Sequence, residues 1–334
     1  MIEHCRCGRV LASVATVTEH SANQHSVSTP SLSRDPLWPR SGDFPAPDAV
    51  GDARLDVALL GIPTWRTSLS ATQAGQTPAA VRAALRYYAA FVSPDRGEHD
   101  GQALAELRVA DFGDVVEPDG AEGETRAREL VAQAAGRASV VMALGGDNAL
   151  TVPAALGTWG DSVATAGLVT LDAHHDLRDG VSNGSPVRRL VESGLAGNRI
   201  VQVGIADFAN SAEYSARARD IGITIVHRDE LHRRPMADVM AEALEIAGAA
   251  GGPIHVDLDM DVCDRSVAPA CPAAVPGGIA AHELRAAARA AGAHSQVRSI
   301  DLAEIDATAD AADGRTVRLA ALCVLELMAG VAHR

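Results

Sequence analysis

The sequence contains no lysine: all 29 basic residues are arginine, set against 43 acidic ones, giving a formal charge of −14 and an isoelectric point near 5.2. A chain this acidic is repelled by phosphate backbones, so nucleic acid is excluded as an expected partner. Aromatic residues are scarce, at 3%, and a core without many rings has to be built from Ala, Val, Leu and Gly in close contact, as between sheets and helices. The five cysteines, Cys5, Cys7, Cys263, Cys271 and Cys323, are odd in number and scattered. That argues against a disulfide framework and for a reducing cytoplasm. His4 with Cys5 and Cys7 matches no zinc-ligand spacing. No apolar run reaches membrane-spanning length, and the charged start MIEHCRCGRV is unlike a secretory signal, so a cytoplasmic protein without a membrane partner is expected.

What the chain does have is 47% hydrophobic residues arranged in short runs. Residues 1–45 are rich in Ser, His, Pro and Thr without sustained periodicity and read as an N-terminal extension, ordered only in part. From residue 46 to 334 a single domain is expected. Strand-length apolar runs recur at 56–62, 108–114, 138–146, 167–173, 199–205, 222–227, 253–259 and 297–305. Ala-rich segments of helical spacing lie between them, among them TPAAVRAALRYYAA, where Thr77-Pro78 fits an N-cap followed by a first-turn proline. Alternating strands and helices with continuously apolar strands imply an α/β three-layer sandwich, with a mostly parallel sheet of about eight strands flanked by helices. No repeat is evident.

Ligands of such sheets bind at the carboxyl ends of the strands, and this chain's acids follow its apolar runs directly: Asp111, Asp114, Asp147, Asp172, Asp176, Asp257, Asp259, Asp261 and Glu304. In the segment Asp172-Ala173-His174-His175-Asp176, alternation puts Asp172, His174 and Asp176 on one side of an extended chain, with His175 turned away into a structural role. Asp257, Asp259 and Asp261 repeat the spacing after another apolar run. Carboxylates brought together from two strands repel unless cations intervene. An oxygen-rich set with one imidazole suits Mn²⁺ better than Zn²⁺.

DAHHD at 172–176 and DLDMDVCDRSVAPACPAAVPGG from Asp257, with GGDN at 145–148, DFGD at 111–114 and DLAEID at 301–306, resemble the arginase/agmatinase/formimidoylglutamase family, the ureohydrolases, over about residues 50–330. The resemblance implies an arginase-like fold with two Mn²⁺ per chain at the carboxyl edge of the sheet, and members of the family often form trimers or hexamers, so a homo-oligomer is a further expectation. It implies that Asp172 bridges both metals, that His174 binds one and Asp176 the other, and that Asp259, as a second bridge, and Asp261 complete the set. Asp257 then falls outside the ligand shell, where the family usually has a small polar residue. Glu304 resembles the carboxylate that orients a cationic amidinium or guanidinium, and Asp176 the group that relays a proton to the departing nitrogen.

Two positions depart from the family pattern. Asn148 stands where a histidine ligand is usual, which weakens one metal site, and Asn183-Gly184-Ser185-Pro186 replaces a His-Gly-x-Pro loop. With Arg178 after the metal motif, the second departure makes the chain look most like formimidoylglutamases. The implied reaction is hydrolysis of a linear amidine C–N bond, N-formimidoyl-L-glutamate giving L-glutamate and formamide. Its two carboxylates call for cationic or amide anchors, for which Arg178, Arg188, Arg189, Asn183 and Ser185 are candidates. The alternatives are an agmatinase-, guanidinobutyrase- or arginase-type guanidine hydrolase, and a catalytically lapsed member that acts as a binding subunit.

Overall fold

Every one of the eight apolar runs forms a strand: β1 (Leu55–Ile62), β2 (Val109–Asp114), β3 (Ala138–Gly145), β4 (Gly167–Leu171), β5 (Ile200–Ile205), β6 (Thr224–His227), β7 (Ile254–Asp259) and β8 (Val297–Ala303). The structure is a computed structural model that describes residues 1, 32–93 and 104–334. Most of the expected N-terminal extension, with Cys5 and Cys7, lies outside the described residues. The compact unit runs from Arg34 to Arg334 and includes Arg40, which forms an isolated antiparallel bridge with Ala89.

The strands make one sheet in the order β2-β1-β3-β8-β7-β4-β5-β6, and every neighbouring pair is parallel. Parallel pairs need crossovers, which helices supply: α1 (Thr77–Leu85), α2 (Gly120–Arg137), α3 (Thr151–Trp159), α4 (Pro186–Glu192), α5 (Ala212–Ile221), α6 (Arg228–Leu231), α7 (Met236–Ala247), α8 (Ala281–Ala293) and α9 (Arg315–Val331). Two-residue alternation divides each strand between two helical layers. On β1, Val57 and Leu59 join a core shared with α1, α7, α8 and α9, whereas Ala58 and Leu60 join one shared with α2 and α3. Thr77 is the first helical residue of α1 rather than its cap, and its hydroxyl donates to the carbonyl of Ile305 at 2.5 Å. Tertiary contact here outweighs the local capping preference.

The strand order decides where the chemistry can lie. β3, β8, β7 and β4 are consecutive neighbours in the sheet, about 4.8 Å apart, so the segments leaving their carboxyl ends crowd together although they are far apart in sequence. β7 itself is two-faced. Ile254, Val256 and Leu258 are buried among α7, α8 and α9 side chains, while the intervening His255, Asp257 and Asp259 are buried on the other side. Burying a valine or leucine contributes about 1.5–3 kcal/mol, whereas burying an ion costs several kcal/mol. The apolar face of β7 therefore anchors a strand whose polar face is expensive. The turn after β3 is tight as well: a Cβ on Gly146 would lie 2.0 Å from the Thr64 carbonyl oxygen, so only glycine lets the chain pass there towards Asn148.

Candidate metal centre

β4 ends at Leu171, so Asp172 to Asp176 follow the strand rather than extend it. They converge through hydrogen bonds, not through strand alternation. Asp172 Oδ1 accepts from the His174 backbone N–H at 2.6 Å, and Asp261 Oδ1 accepts from the Ala173 N–H at 2.9 Å, tying the β4 and β7 segments together. Asp259 Oδ1 accepts from the Asp261 N–H at 2.8 Å. His174 Nδ1 lies 2.6 Å from Asp261 Oδ2 and 3.5 Å from Asp172 Oδ1. One ligand atom each of Asp172, His174 and Asp261 falls within 4.8 Å of the others, the spacing of donors around one ion.

Asp176 and Asn148 stand to one side of that trio. Asn148 Nδ2 donates to Asp176 Oδ2 at 2.8 Å and lies 3.5 Å from Asp257 Oδ2, and its Oδ1 accepts from the Thr151 hydroxyl at 2.8 Å. The amide nitrogen thus faces the acids, whereas a carboxamide that binds a metal presents its oxygen. A half-turn of the amide exchanges the two, because the Thr151 hydroxyl can either donate or accept. The Asn148 N–H donates to Glu304 Oε1 at 2.8 Å, and Asn183 Nδ2 donates to the same oxygen at 2.8 Å.

The electrostatics follow from burial. Asp172 is pushed up to about 7 by burial and by the charge of Asp261, and Glu304 to about 7 by burial. Burial and neighbouring acids raise Asp176, Asp257 and Asp259 well above the usual carboxylate range. Burial would lower His174, but Asp261 and Asp172 outweigh it and raise the imidazole to about 12. Without a metal, a proton on His174 is the local countercharge. Burial would likewise raise Asp261, yet its pairing with His174 holds it below the usual value. Asp172 Oδ2 is buried with no hydrogen-bond partner, a lone pair directed into an acid cluster that a divalent cation would satisfy.

His174, Asp176, Asp259, Asp261 and Glu304 line a cavity of about 390 Å³. Asp176, Asp259, Asp261 and Glu304 form its buried floor, and Leu69, Arg178 and Phe208 its exposed mouth. No ion pair engages the Arg178 guanidinium among the described residues. Gly184 makes room for it, since a Cβ there would lie 2.7 Å from Arg178 Cδ.

Three of the proposed anchors take other roles. Ser185 is fully buried, and its hydroxyl is engaged with the Ser182 carbonyl and N–H at 2.8 and 3.0 Å. Arg188 clasps the carbonyls of Arg178 and Gly180 and pairs with Glu192, while Arg189 pairs with Glu124. Ser185 and Arg188 brace the loop and Arg189 ties α4 to α2, so none of the three lines the cavity. His175 points into the core, against Gln202 and Ser215 at 2.7 and 3.2 Å.

The segment GIADFANSAEY at 204–214 resembles formimidoylglutamases, but the sequence assigns no site role to the residues of this loop after β5. Asn210 Nδ2 donates to the Ala173 carbonyl at 2.8 Å and its Oδ1 accepts from the His175 N–H at 2.9 Å, so this loop is fastened to the acidic segment. Phe208 at its tip is fully exposed with φ of +65°. Asp176 and Glu304 also have positive φ, at +52° and +61°. Three of the five described non-glycine residues in this strained region thus border one cavity, as is typical of functional sites. Of the three, Asp176 and Glu304 were legible as acids after apolar runs, whereas no spacing rule reveals Phe208.

A model of the arginase family matches residues 55–330. Formimidoylglutamase from Halalkalibacterium halodurans is 31% identical over 81% of this chain and 86% of its own length. The crystal structure of formimidoylglutamase from Bacillus subtilis superposes with a TM-score of 0.82 at 28% identity, covering 91% of this chain and 95% of that one. A formiminoglutamase variant from Trypanosoma cruzi, solved with Mn²⁺, shares the fold with a TM-score of 0.76 at 21% identity, over 87% and 99% of the two chains.

Proposed function

The chain belongs to the arginase family, hydrolases of C–N bonds, and from that premise we propose that it is a manganese-dependent amidine hydrolase that converts N-formimidoyl-L-glutamate to L-glutamate and formamide. The observation that carries this reading is the polarity of the cavity: a buried acidic floor beneath Arg178, a mouth arginine without an ion pair among the described residues. An amidinium fits the floor and carboxylates fit the mouth.

Asp172, His174, Asp176, Asp259 and Asp261, with Asn148, would hold two Mn²⁺; the unpartnered Asp172 Oδ2 and the oxygen-rich donor set fit such ions. Bound there, the ions supply the positive charge that brings water ionisation towards neutral pH. Glu304, fixed by the Asn148 N–H and the Asn183 amide, accepts hydrogen bonds from the amidinium nitrogens and turns the planar carbon towards the acids. The amidinium charge restores the Glu304 carboxylate that burial disfavours. Arg178 pairs with a substrate carboxylate. Water adds to the amidine carbon. Asp176 takes a proton from that water and returns it to the glutamate nitrogen as the C–N bond breaks, leaving glutamate and formamide. The Asp172–Asp176 segment does its work at the junction of two strands, where the left-handed backbone of Asp176 aims its carboxylate into the floor. A cytoplasmic setting is in keeping with Cys263, Cys271 and Cys323, which are buried free thiols.

The test is a substrate panel with Mn²⁺: N-formimidoyl-L-glutamate, agmatine, 4-guanidinobutyrate and arginine, followed by glutamate, formamide and urea release. Formamide from the first is expected. Urea from a guanidine, with nothing from formimidoylglutamate, would reassign the substrate.

A further inference from the structure

We propose that Asp257 is itself a metal ligand, supplying the donor that an imidazole at position 148 would otherwise provide. This rests on the manganese-dependent reading above and gives one of its two sites a different composition. The positions where the chain departs from the expected pattern, 148 and 257, are brought face to face: Asn148 Nδ2 lies 3.5 Å from Asp257 Oδ2 and 2.8 Å from Asp176 Oδ2. Loss of a nitrogen donor from the β3 side is thus matched by gain of a carboxylate from the β7 side.

Asp257 is 1% exposed, and its Oδ1 has no hydrogen-bond partner. Its titratable neighbours are Asp301, Asp172 and Asp176, all acids, and no ion pair reaches it among the described residues. A buried carboxylate in that position costs several kcal/mol unless a cation satisfies it. His255 does not do so, because its Nε2 is 3.0 Å from Asp301 Oδ2 and its Nδ1 is 2.7 Å from the Ser299 hydroxyl. Asp257 faces Asp301 in register across β7 and β8, so the rival account is a proton held between these two carboxyl groups, with Asp257 outside the ligand shell.

With Asp257 as ligand, the site beside Asn148 is made of oxygen donors alone, from Asp172, Asp176, Asp257 and Asp259 and the turned Asn148 carboxamide. The other site keeps the imidazole of His174. An all-oxygen site prefers Mn²⁺ to Zn²⁺ more strongly than a mixed one.

The experiment uses the full chain, stripped with chelator and titrated with MnCl₂ by calorimetry and electron paramagnetic resonance, without substrate. Wild type is expected to take two Mn²⁺. D257N should keep one and bind the second at least about 100-fold more weakly, beyond the usual effect of losing an outer contact. The double variant N148H/D257S should regain it. D301N should bind two like wild type. Melting supplies an independent readout: excess Mn²⁺ should raise the melting temperature of wild type by more than that of D257N, because wild type binds the second ion and D257N does not. Wild-type affinity in D257N, or equal weakening in D301N and D257N, overturns the proposal in favour of the shared proton. A wild type that takes up no Mn²⁺ overturns it together with the manganese-dependent reading, whereas one that binds two Mn²⁺ and leaves formimidoylglutamate intact rejects the substrate alone.

Discussion

The carboxyl rim of the sheet carries two sets of acids that look alike in sequence and differ in what neutralises them. Beyond β1, at the sheet edge, Asp111 and Asp114 on β2 are both engaged by Arg82, at 2.6 and 2.5 Å, and remain partly exposed. In the middle of the rim, Asp172, Asp176, Asp257, Asp259 and Asp261 are buried, and no arginine forms an ion pair with them among the described residues. Acids following an apolar strand are therefore no sign of a metal by themselves. An arginine from α1 reaches one set, and among the described residues only His174 forms an ion pair with the other. The difference lies in the third dimension: Arg82 is distant from Asp111 in sequence, and its arrival is set by how α1 packs.

The sharpest way to break this contrast is Asp259→Asn. It removes a carboxylate from the centre of the unpaired set, and a loss of about 10²- to 10³-fold in kcat is expected, the scale of removing a group that stabilises the reacting centre, with bound Mn²⁺ falling alongside. Near-normal turnover would show that the central acids do not share a metal. Arg178→Gln comes next. Hydrogen bonds to charged groups contribute about 1.5–3 kcal/mol, so kcat/KM on formimidoylglutamate should fall roughly 10- to 100-fold, mostly through KM, with Mn²⁺ binding intact. An unchanged KM would leave the substrate carboxylates without this anchor.

A smaller effect concerns pH. In metal-free protein Asp172 rises from 3.8, and Glu304 from 4.5, to about 7 on folding, and His174 rises from 6.5 to about 12. Groups that hold their protons more tightly when folded add stability that is fully present below the unfolded pKa and is lost as the pH rises through the folded one. In chelator the melting temperature should therefore fall from about pH 5 to about pH 8. Excess Mn²⁺ should reverse the slope, because metal competes with those protons. Calorimetry in the two buffers checks the sign, and a flat profile in chelator would mean that the acids do not crowd one another. The smallest effect belongs to the paired set: Arg82→Ala should cost about 1 kcal/mol, read by urea unfolding, with no change in Mn²⁺ stoichiometry. A change in stoichiometry would erase the distinction between the two groups.

The strands were legible because continuous apolar runs of strand length, separated by Ala-rich helices, admit few other folds. The acidic segments were legible because their spacing is dense and repeated. What lay beyond reach was anything set by packing direction. Ser185 and Arg188 follow Asn183 closely in sequence, but they brace the loop and do not line the cavity. The carboxamide of Asn148 was assigned a donor role by analogy, and only its neighbours Thr151, Asp176 and Asp257 define which atom faces where. Leu69, Phe208 and Asn210 carry no titratable group and obey no spacing rule, so even where the resemblance covers them, as in GIADFANSAEY, the linear chain gives them no site role.

Asn210 has a mechanical meaning for whatever enters the cavity. Because its side chain grips both the carbonyl of Ala173 and the N–H of His175, the Phe208 tip and the acidic segment share a single lever arm. The entrance loop and the segment that carries Asp172 and Asp176 are thus fastened together at one residue, and Asn210→Ala would release both contacts at once.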